Sequence, residues 1–362
     1  MTTASDVGAA WTITSRQVTP HRVEAEVDGV SVWAESDDVP LADGPEAWGT
    51  AFALPSARAH AALRFTKPID MRWAVSSQHN IELATGWWGG DAFTPWSTPA
   101  SRIPGPLRRW LRRPAAGRAL CFTGGVDSFF SLLGDAHHPT HLLYVVGFDV
   151  PVDDQARVDD VTQLVRSVAA ARELVPIIVR TDLRDHPHFA SISWEHTHGA
   201  ALAAIGHLIS STVSTLVIPP SYAADRLVPW GSHPDLDPGW GIPRRLTIEH
   251  GDASGRRLDR VQAIARDPLV HRHLRVCWQN VGTDRNCGRC EKCVRTMAML
   301  AGAGVLDQCV TFPARSELPA RIDGLGTVPT GIVPLWEDLL GIELLAAERT
   351  AIGALLERSS AA

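Results

Sequence analysis

Arg118-Ala119-Leu120-Cys121-Phe122-Thr123-Gly124-Gly125-Val126-Asp127-Ser128 is the stretch whose reading decides the fold. The apolar run 118–122 reads as a short strand, and the residues from Phe129 to Leu133 read as the start of a helix. Between them, paired glycines let the backbone approach an anion closely. The N-terminus of the following helix adds oriented N–H groups and partial positive charge. Thr123 and Ser128 can donate hydroxyl hydrogen bonds to phosphate oxygens. The loop lacks the Gly-Lys-Ser/Thr ending of a Walker A loop and the three-glycine spacing of dinucleotide folds. The same residues also fit a tight strand–helix turn with Asp127-Ser128 as a helix cap.

Downstream the pattern repeats. His141 to Val146 is a second strand, Pro176 to Arg180 a third and Thr215 to Ile218 a fourth. Between them, Asp159 to Glu173 carries Val161, Leu164, Val165 and Val168 at helix spacing, and Gly199 to Ser211 is a further helix. Strands alternating with helices imply a parallel α/β sheet. We place this domain at 116–312 and a helical tail at 313–362, with its helix over Leu335 to Arg358.

Upstream the character differs. Eight of the 13 tryptophans precede residue 115. Arg22 to Val27, Val30 to Ala34, Ala61 to Phe65 and Met71 to Val75 place apolar residues at period two, the signature of half-buried strands. Residues 1–115 therefore read as a β-rich accessory domain, ending in a proline- and arginine-rich linker with a short helix around Leu107 to Leu111. A packed β core accounts for most of its tryptophans. Such a unit must bury one face. It is expected to dock near the C-terminal ends of the parallel strands, close to the Thr123 loop or His233-Pro234-Asp235.

Composition limits the function. The chain has 362 residues and 39.2 kDa, enough for two domains. Its 34 basic and 40 acidic residues give a formal net charge of −6, so a mainly electrostatic nucleic-acid binder is not expected. No apolar stretch approaches 18 residues, and Met1 to Ala10 lacks the pattern of a signal peptide, so no membrane partner is expected. Four of the six cysteines fall within 277–293, which points to metal in a reducing cytoplasm.

Those four, Cys277, Cys287, Cys290 and Cys293, match a tetrahedral structural zinc site, with Gly288 allowing the tight knuckle. An iron–sulfur cluster and unrelated buried cysteines are the alternatives. Cys121 and Cys309 read as small core residues. His196 and His198, two apart on a helix, point to different faces and read as surface or helix-start residues rather than metal ligands.

The Thr123-to-Ser128 loop resembles the PP-loop of the ATP pyrophosphatases, usually Ser-Gly-Gly-x-Asp-Ser, with threonine here in the first position. Followed by Cys277 and then Cys287-Gly288-Arg289-Cys290-Glu291-Lys292-Cys293, it resembles the 7-cyano-7-deazaguanine synthase family over about 116–300. Members of that family adenylate a carboxylate, add ammonia and dehydrate the amide to a nitrile with a second ATP. The resemblance implies that Thr123, Gly124, Gly125, Val126, Asp127 and Ser128 hold the pyrophosphate of ATP. It gives Asp127 the catalytic role of placing Mg²⁺ or orienting the loop, and carries Asp149 over to the nucleotide site. It also implies a substrate region at Ser232, His233 and Asp235, where His233 replaces the tyrosine of a Tyr-Pro-Asp element. The bland reading of that segment is a proline-rich surface loop.

The chain departs from the family at Phe148 to Asp153, at Trp194 to Gly199 and across the N-terminal unit. ATP chemistry and zinc are therefore expected, and the deazaguanine substrate is not. The expected function is ATP-dependent adenylation of a carboxylate or carbonyl oxygen, on a small or conjugated substrate, followed by attack of a nucleophile. A homodimer is compatible with it. The rivals are a tRNA-modifying sulfur or amine transferase of the same superfamily, and a non-catalytic nucleotide-binding module. Asp127→Ala is expected to stop pyrophosphate release without harming the fold, since a loop aspartate carries little core.

Overall fold

The computed structural model describes residues 9–92, 96–97, 115–282 and 284–360. The helix expected around 107–111 lies outside them. The chain opens with an antiparallel meander, β1 (Ala10–Thr19), β2 (Arg22–Val27) and β3 (Val30–Glu35). Helix α1 (Pro45–Arg58) leads to β4 (Ala62–Phe65), parallel to β1, and helix α2 (Met71–Trp88) to the short β5 (Trp96–Ser97). Alternation along the meander puts Trp11, Ile13, Val23, Ala25, Val27, Val32 and Ala34 in the core. The opposite face carries charged residues, with Arg22 bonded to Glu24 and Glu35.

One expectation fails here. Met71 to Val75 is the first turn of α2, not a strand. Its period-two spacing is also the start of a helical stripe, Trp73, Ala74, Ser77, Ile81 and Ala84, all buried. Asp70 caps the helix by accepting from the Arg72 N–H at 2.9 Å. With α1 and α2 between its strands, residues 10–97 are mixed α/β rather than β alone.

The second half runs β6 (Gly117–Cys121), α3 (Val126–Leu133), β7 (His141–Val146), α4 (Gln155–Ala171), β8 (Val175–Thr181), α5 (Trp194–Leu208), β9 (Val213–Ile218) and β10 (Thr247–His250). Its five strands pair parallel in the order β10-β9-β6-β7-β8. Helices α3 and α4 pack on one face, together with α6 (Arg257–Ile264) and α7 (Glu291–Gly302). Helix α5 packs on the other face beside α1. Burial on both sides explains why Leu142 to Val146 is apolar without interruption. The tail is not one helix over 335–358: a short helix at Val333–Glu337 is separated by a stretch that is not α-helical from α8 (Ala346–Ser360), whose Ala351, Ile352 and Leu355 join the core of the α3–α4 face.

The two halves share one ten-stranded sheet through β3 and β8, which pair antiparallel only at Ala34–Thr181 and Glu35–Arg180. Side chains extend this short seam. Asp38 accepts from the Ile178 N–H at 2.8 Å, Ser36 donates to the Ile178 carbonyl at 2.7 Å, and Asp182 accepts from the Trp33 N–H at 2.8 Å. The N-terminal unit thus continues the sheet sideways instead of laying a face on it. Helix α2 also reaches back to the far end of the sheet. Asn80 donates to the Leu236 carbonyl at 2.8 Å, and the Trp87 ring meets His233 edge-on at 4.9 Å.

Candidate functional site

Strand β6 lies between β7 and β9, so the chain leaves β6 in one direction and later returns on its other side. At such a reversal, the loops after the two neighbouring strands diverge and open a crevice at their C-terminal ends. A cavity of about 250 Å³ lies there. Thr123, Gly125, Val126, Asp127 and Ser128 line it from the end of β6, Phe148 and Asp149 from the end of β7, and Pro219 and Ser221 from the end of β9.

The loop geometry follows from its sequence. Gly124 has φ +77°, a conformation that favours glycine. A Cβ there would come 3.1 Å from Leu164 and 3.2 Å from the His273 carbonyl oxygen. The Gly124 carbonyl accepts from the Arg275 N–H at 2.8 Å, tying the loop to the segment that precedes Cys277. Gly124 does not itself line the cavity; it shapes the turn that brings Gly125 to the start of α3. Ser128 donates to the Gly125 carbonyl at 3.0 Å, so in this conformation its hydroxyl closes the first turn.

Three cationic side chains face the same space: Arg257, Arg275 and Lys292. Burial pushes the Lys292 ammonium below its ordinary range, and the neighbouring Arg257 adds to the effect. Burial likewise lowers Arg257, partly offset by Asp127. Asp127 pairs with Arg257 at 3.0 Å through Oδ2 and with Arg260 at 2.9 Å through Oδ1. Arg260 is buried and also donates to the carbonyls of Pro220 and Tyr222, so it ties α6 both to Asp127 after β6 and to the loop after β9. The expectation that Asp127 carries little structure is therefore corrected. Both of its carboxylate oxygens are engaged. Asp149, exposed at the mouth, is the other carboxylate lining the cavity.

The Sγ atoms of Cys277, Cys287, Cys290 and Cys293 lie within 4.8 Å of one another, and those of Cys287 and Cys293 are 3.8 Å apart. A tetrahedron with Zn–S bonds of about 2.3 Å has edges near ~3.8 Å, so the cluster fits a zinc ion. The cluster could bind a metal. Gly288, at φ +61°, forms the knuckle, and Cys290 caps α7. The cluster also adjoins the cavity. Cys277 lines it, Arg275 precedes Cys277 by two residues, and Lys292 lies between Cys290 and Cys293. From the 277–287 connection, Asn280 donates to the Asp149 carbonyl at 2.6 Å and accepts from Arg275 at 2.9 Å.

The expected substrate residues lie elsewhere. Ser232, His233 and Asp235 do not line this cavity. Ser232 is buried and donates to Asp237 at 2.8 Å, and His250 bonds to the same Asp237 oxygen at 2.7 Å. His233 accepts from the Asp235 N–H at 3.1 Å, and the Asp235 side chain is exposed. No described residue before 115 lines the cavity either. Trp87 reaches His233, so the described residues of the N-terminal unit meet the His233 segment and not the Thr123 loop.

Sequence reasoning passed over Arg257, Arg275, Lys292 and Trp194, and it read His198 as a surface or helix-start residue; all five line the cavity. Lys292 had a signal, since it is one of two lysines in the chain and lies inside the cysteine motif. The arginines had none among so many. His196 and His198 do point to different faces. His196 stacks on Trp88 at 4.2 Å, while His198 faces the cavity. Comparison with protein-family models, curated proteins and solved structures returned no significant match for this chain. No helix among the described residues is long and apolar enough to cross a membrane.

Proposed function

We propose that the chain is an ATP-dependent enzyme of PP-loop type that adenylates a carboxylate or carbonyl oxygen and releases pyrophosphate. The observation that carries this reading is the cavity itself. A glycine-bearing strand–helix loop and three cationic side chains converge at the sheet's crossover point.

The backbone N–H groups at the start of α3, with Thr123, Arg275 and Lys292, bind the phosphates. The substrate oxygen attacks the α-phosphorus, and pyrophosphate leaves with the bonding electron pair. Preorganised donors neutralise the charge that develops on it, and binding both reactants in one cavity supplies orientation. Asp127 orients the loop through Arg257 and Arg260. Asp149 is the carboxylate left to hold Mg²⁺, which would screen the phosphates. The four cysteines would hold zinc and keep Arg275 and Lys292 in place. An amine or ammonia then attacks the adenylated carbon and displaces AMP.

Calorimetry with ATP and Mg²⁺ tests the site without knowledge of the substrate. Lys292→Met should weaken binding by roughly 10- to 100-fold, the worth of a charge-assisted contact of about 1.5–3 kcal/mol. Wild-type protein that binds no ATP would overturn the reading. Binding without AMP or pyrophosphate formation across a panel of acids would favour a nucleotide-binding module.

A further inference from the structure

We infer that His198 is the base that takes the proton from the attacking amine in this cavity. This rests on the functional reading above and adds a group that the resemblance did not supply.

His198 stands in the second turn of α5, after the Ser193 cap. Its Nδ1 is 3.2 Å from the Trp194 carbonyl, one helical turn back. A carbonyl only accepts, so Nδ1 carries the hydrogen and Nε2 is left with its lone pair. The side chain lines the cavity that holds the Thr123 loop, Arg257, Arg275 and Lys292, and it is the only imidazole among the described residues that do so. Trp194 and Trp230 flank the ring, at 6.0 and 6.1 Å between centroids.

The surroundings keep the ring neutral. Burial pushes His198 below the ordinary histidine range. It outweighs the charges of Asp237 and Asp149 and the carbonyls of Trp194 and Glu195, all of which favour protonation. The other charged groups of the cavity are unsuited to the task. Asp127 is committed to two arginines, the guanidinium groups of Arg257 and Arg275 have no lone pair to offer, and Lys292 is assigned to the phosphates in the reading above. Asp149 is exposed at the mouth, on the end of β7.

The step balances without a further reagent. The amine lone pair forms the new C–N bond, and the C–O bond to AMP breaks. AMP leaves with that electron pair, and the proton from nitrogen passes to His198 Nε2. The imidazolium then returns it to solvent.

Diethyl pyrocarbonate acylates neutral imidazole and needs no substrate, so it gives the first test on the full chain. At pH 6.5, peptide mapping should find His198 modified, and ATP with Mg²⁺ should protect it at least tenfold while the exposed His79 reacts equally in both samples. An unmodified His198 beside a modified His79 would overturn the inference. Modification that ATP does not reduce would count against the cavity as the nucleotide site, and so against both readings. The second test is turnover with ATP, Mg²⁺, ammonium and a panel of carboxylic acids. His198→Gln should slow amide formation about 10²- to 10⁴-fold, far more than pyrophosphate release, and added imidazole should restore part of the loss. Equal losses in both steps without imidazole rescue, or no loss in either, would reject the assignment. Wild-type protein that releases no pyrophosphate with any acid would instead overturn the functional reading.

Discussion

The two halves of the sheet bury their strands differently. In the half containing β6 to β10, helices cover both faces of the central strands, so a strand such as β7 is apolar at nearly every position. In the half containing β1 to β5, the helices α1 and α2 cover one face, and the other carries Arg16, Arg22, Glu24 and Glu26 to solvent. A strand covered on both sides offers a ligand only apolar walls, as Leu143 and Val145 of β7 do in the cavity. Chemistry is left to the loops at its ends, where the chain also reverses at β6. The cationic cavity and the cysteine cluster both belong to that half.

The largest effect should come from the cysteine cluster. Cys293→Ser should remove the metal, because metal binding and local folding are coupled at an apparent ~10–16 kcal/mol for structural zinc. Elemental analysis should fall from about one zinc per chain to none, and hydrogen exchange should rise over 277–300 with the meander β1–β3 unchanged. Zinc retained by the variant, or an iron–sulfur chromophore in the wild type, contradicts this.

Asp127→Ala comes next. It leaves the buried Arg260 without its carboxylate, which should cost about 3 kcal/mol, the lower end for a broken buried pair because Asp127 is partly exposed. Denaturant unfolding would show it. An unchanged midpoint would mean that the bonds from Arg260 to Pro220 and Tyr222 suffice.

Acid should weaken the fold through His207 on α5. Its Nε2–H donates to the Trp240 carbonyl at 2.8 Å, and burial drives its pKa down to about 3. The unfolded chain takes up this proton first as pH falls. Its contribution is therefore fully present above the ordinary histidine pKa of about 6.5 and is lost between there and about 3. The slope is about 1.4 kcal/mol per unit, or roughly 2 kcal/mol by pH 5. His207→Gln should flatten that part of the stability curve, and an unchanged slope would show that other groups produce it.

At the seam, Asp38→Ala deprives the Ile178 N–H of its acceptor and should cost about 1–2 kcal/mol. Exchange at Ile178 should rise before exchange at β7 does. The smallest effect belongs to the open face of the meander. Glu26→Lys should change stability by no more than about 0.5 kcal/mol, since its side chain lies in water. A larger loss would mean that this face is covered by a partner in solution.

Much of the second half was legible in the sequence. The uninterrupted apolar run at 141–146 and the strand–glycine–helix order at 118–133 carry their structure locally. Four thiols in a short span with a glycine knuckle require little beyond proximity. Met71 to Val75 was misread because five residues can satisfy periods of two and 3.6 equally, and only the longer stripe through Ala84 separates them. β10, four residues of Thr-Ile-Glu-His, is too short to carry a pattern. It exists because β9 offers it an edge.

The sequence by itself determined the parallel α/β half, the glycine-bearing strand–helix loop and the cysteine cluster, because each is encoded by neighbours in the chain. Only the tertiary structure decided what faces the cavity. Arg257, Arg275, Lys292 and His198 come from segments up to 94 residues apart (198 to 292), and their convergence follows from strand order. It decided equally that Ser232 turns inward to Asp237, that Asp127 is shared by two arginines, and that the N-terminal unit adds strands beside β8. Hydrogen bonds and ion pairs between distant segments leave no periodic trace in a sequence, because their partners are matched in space and not along the chain.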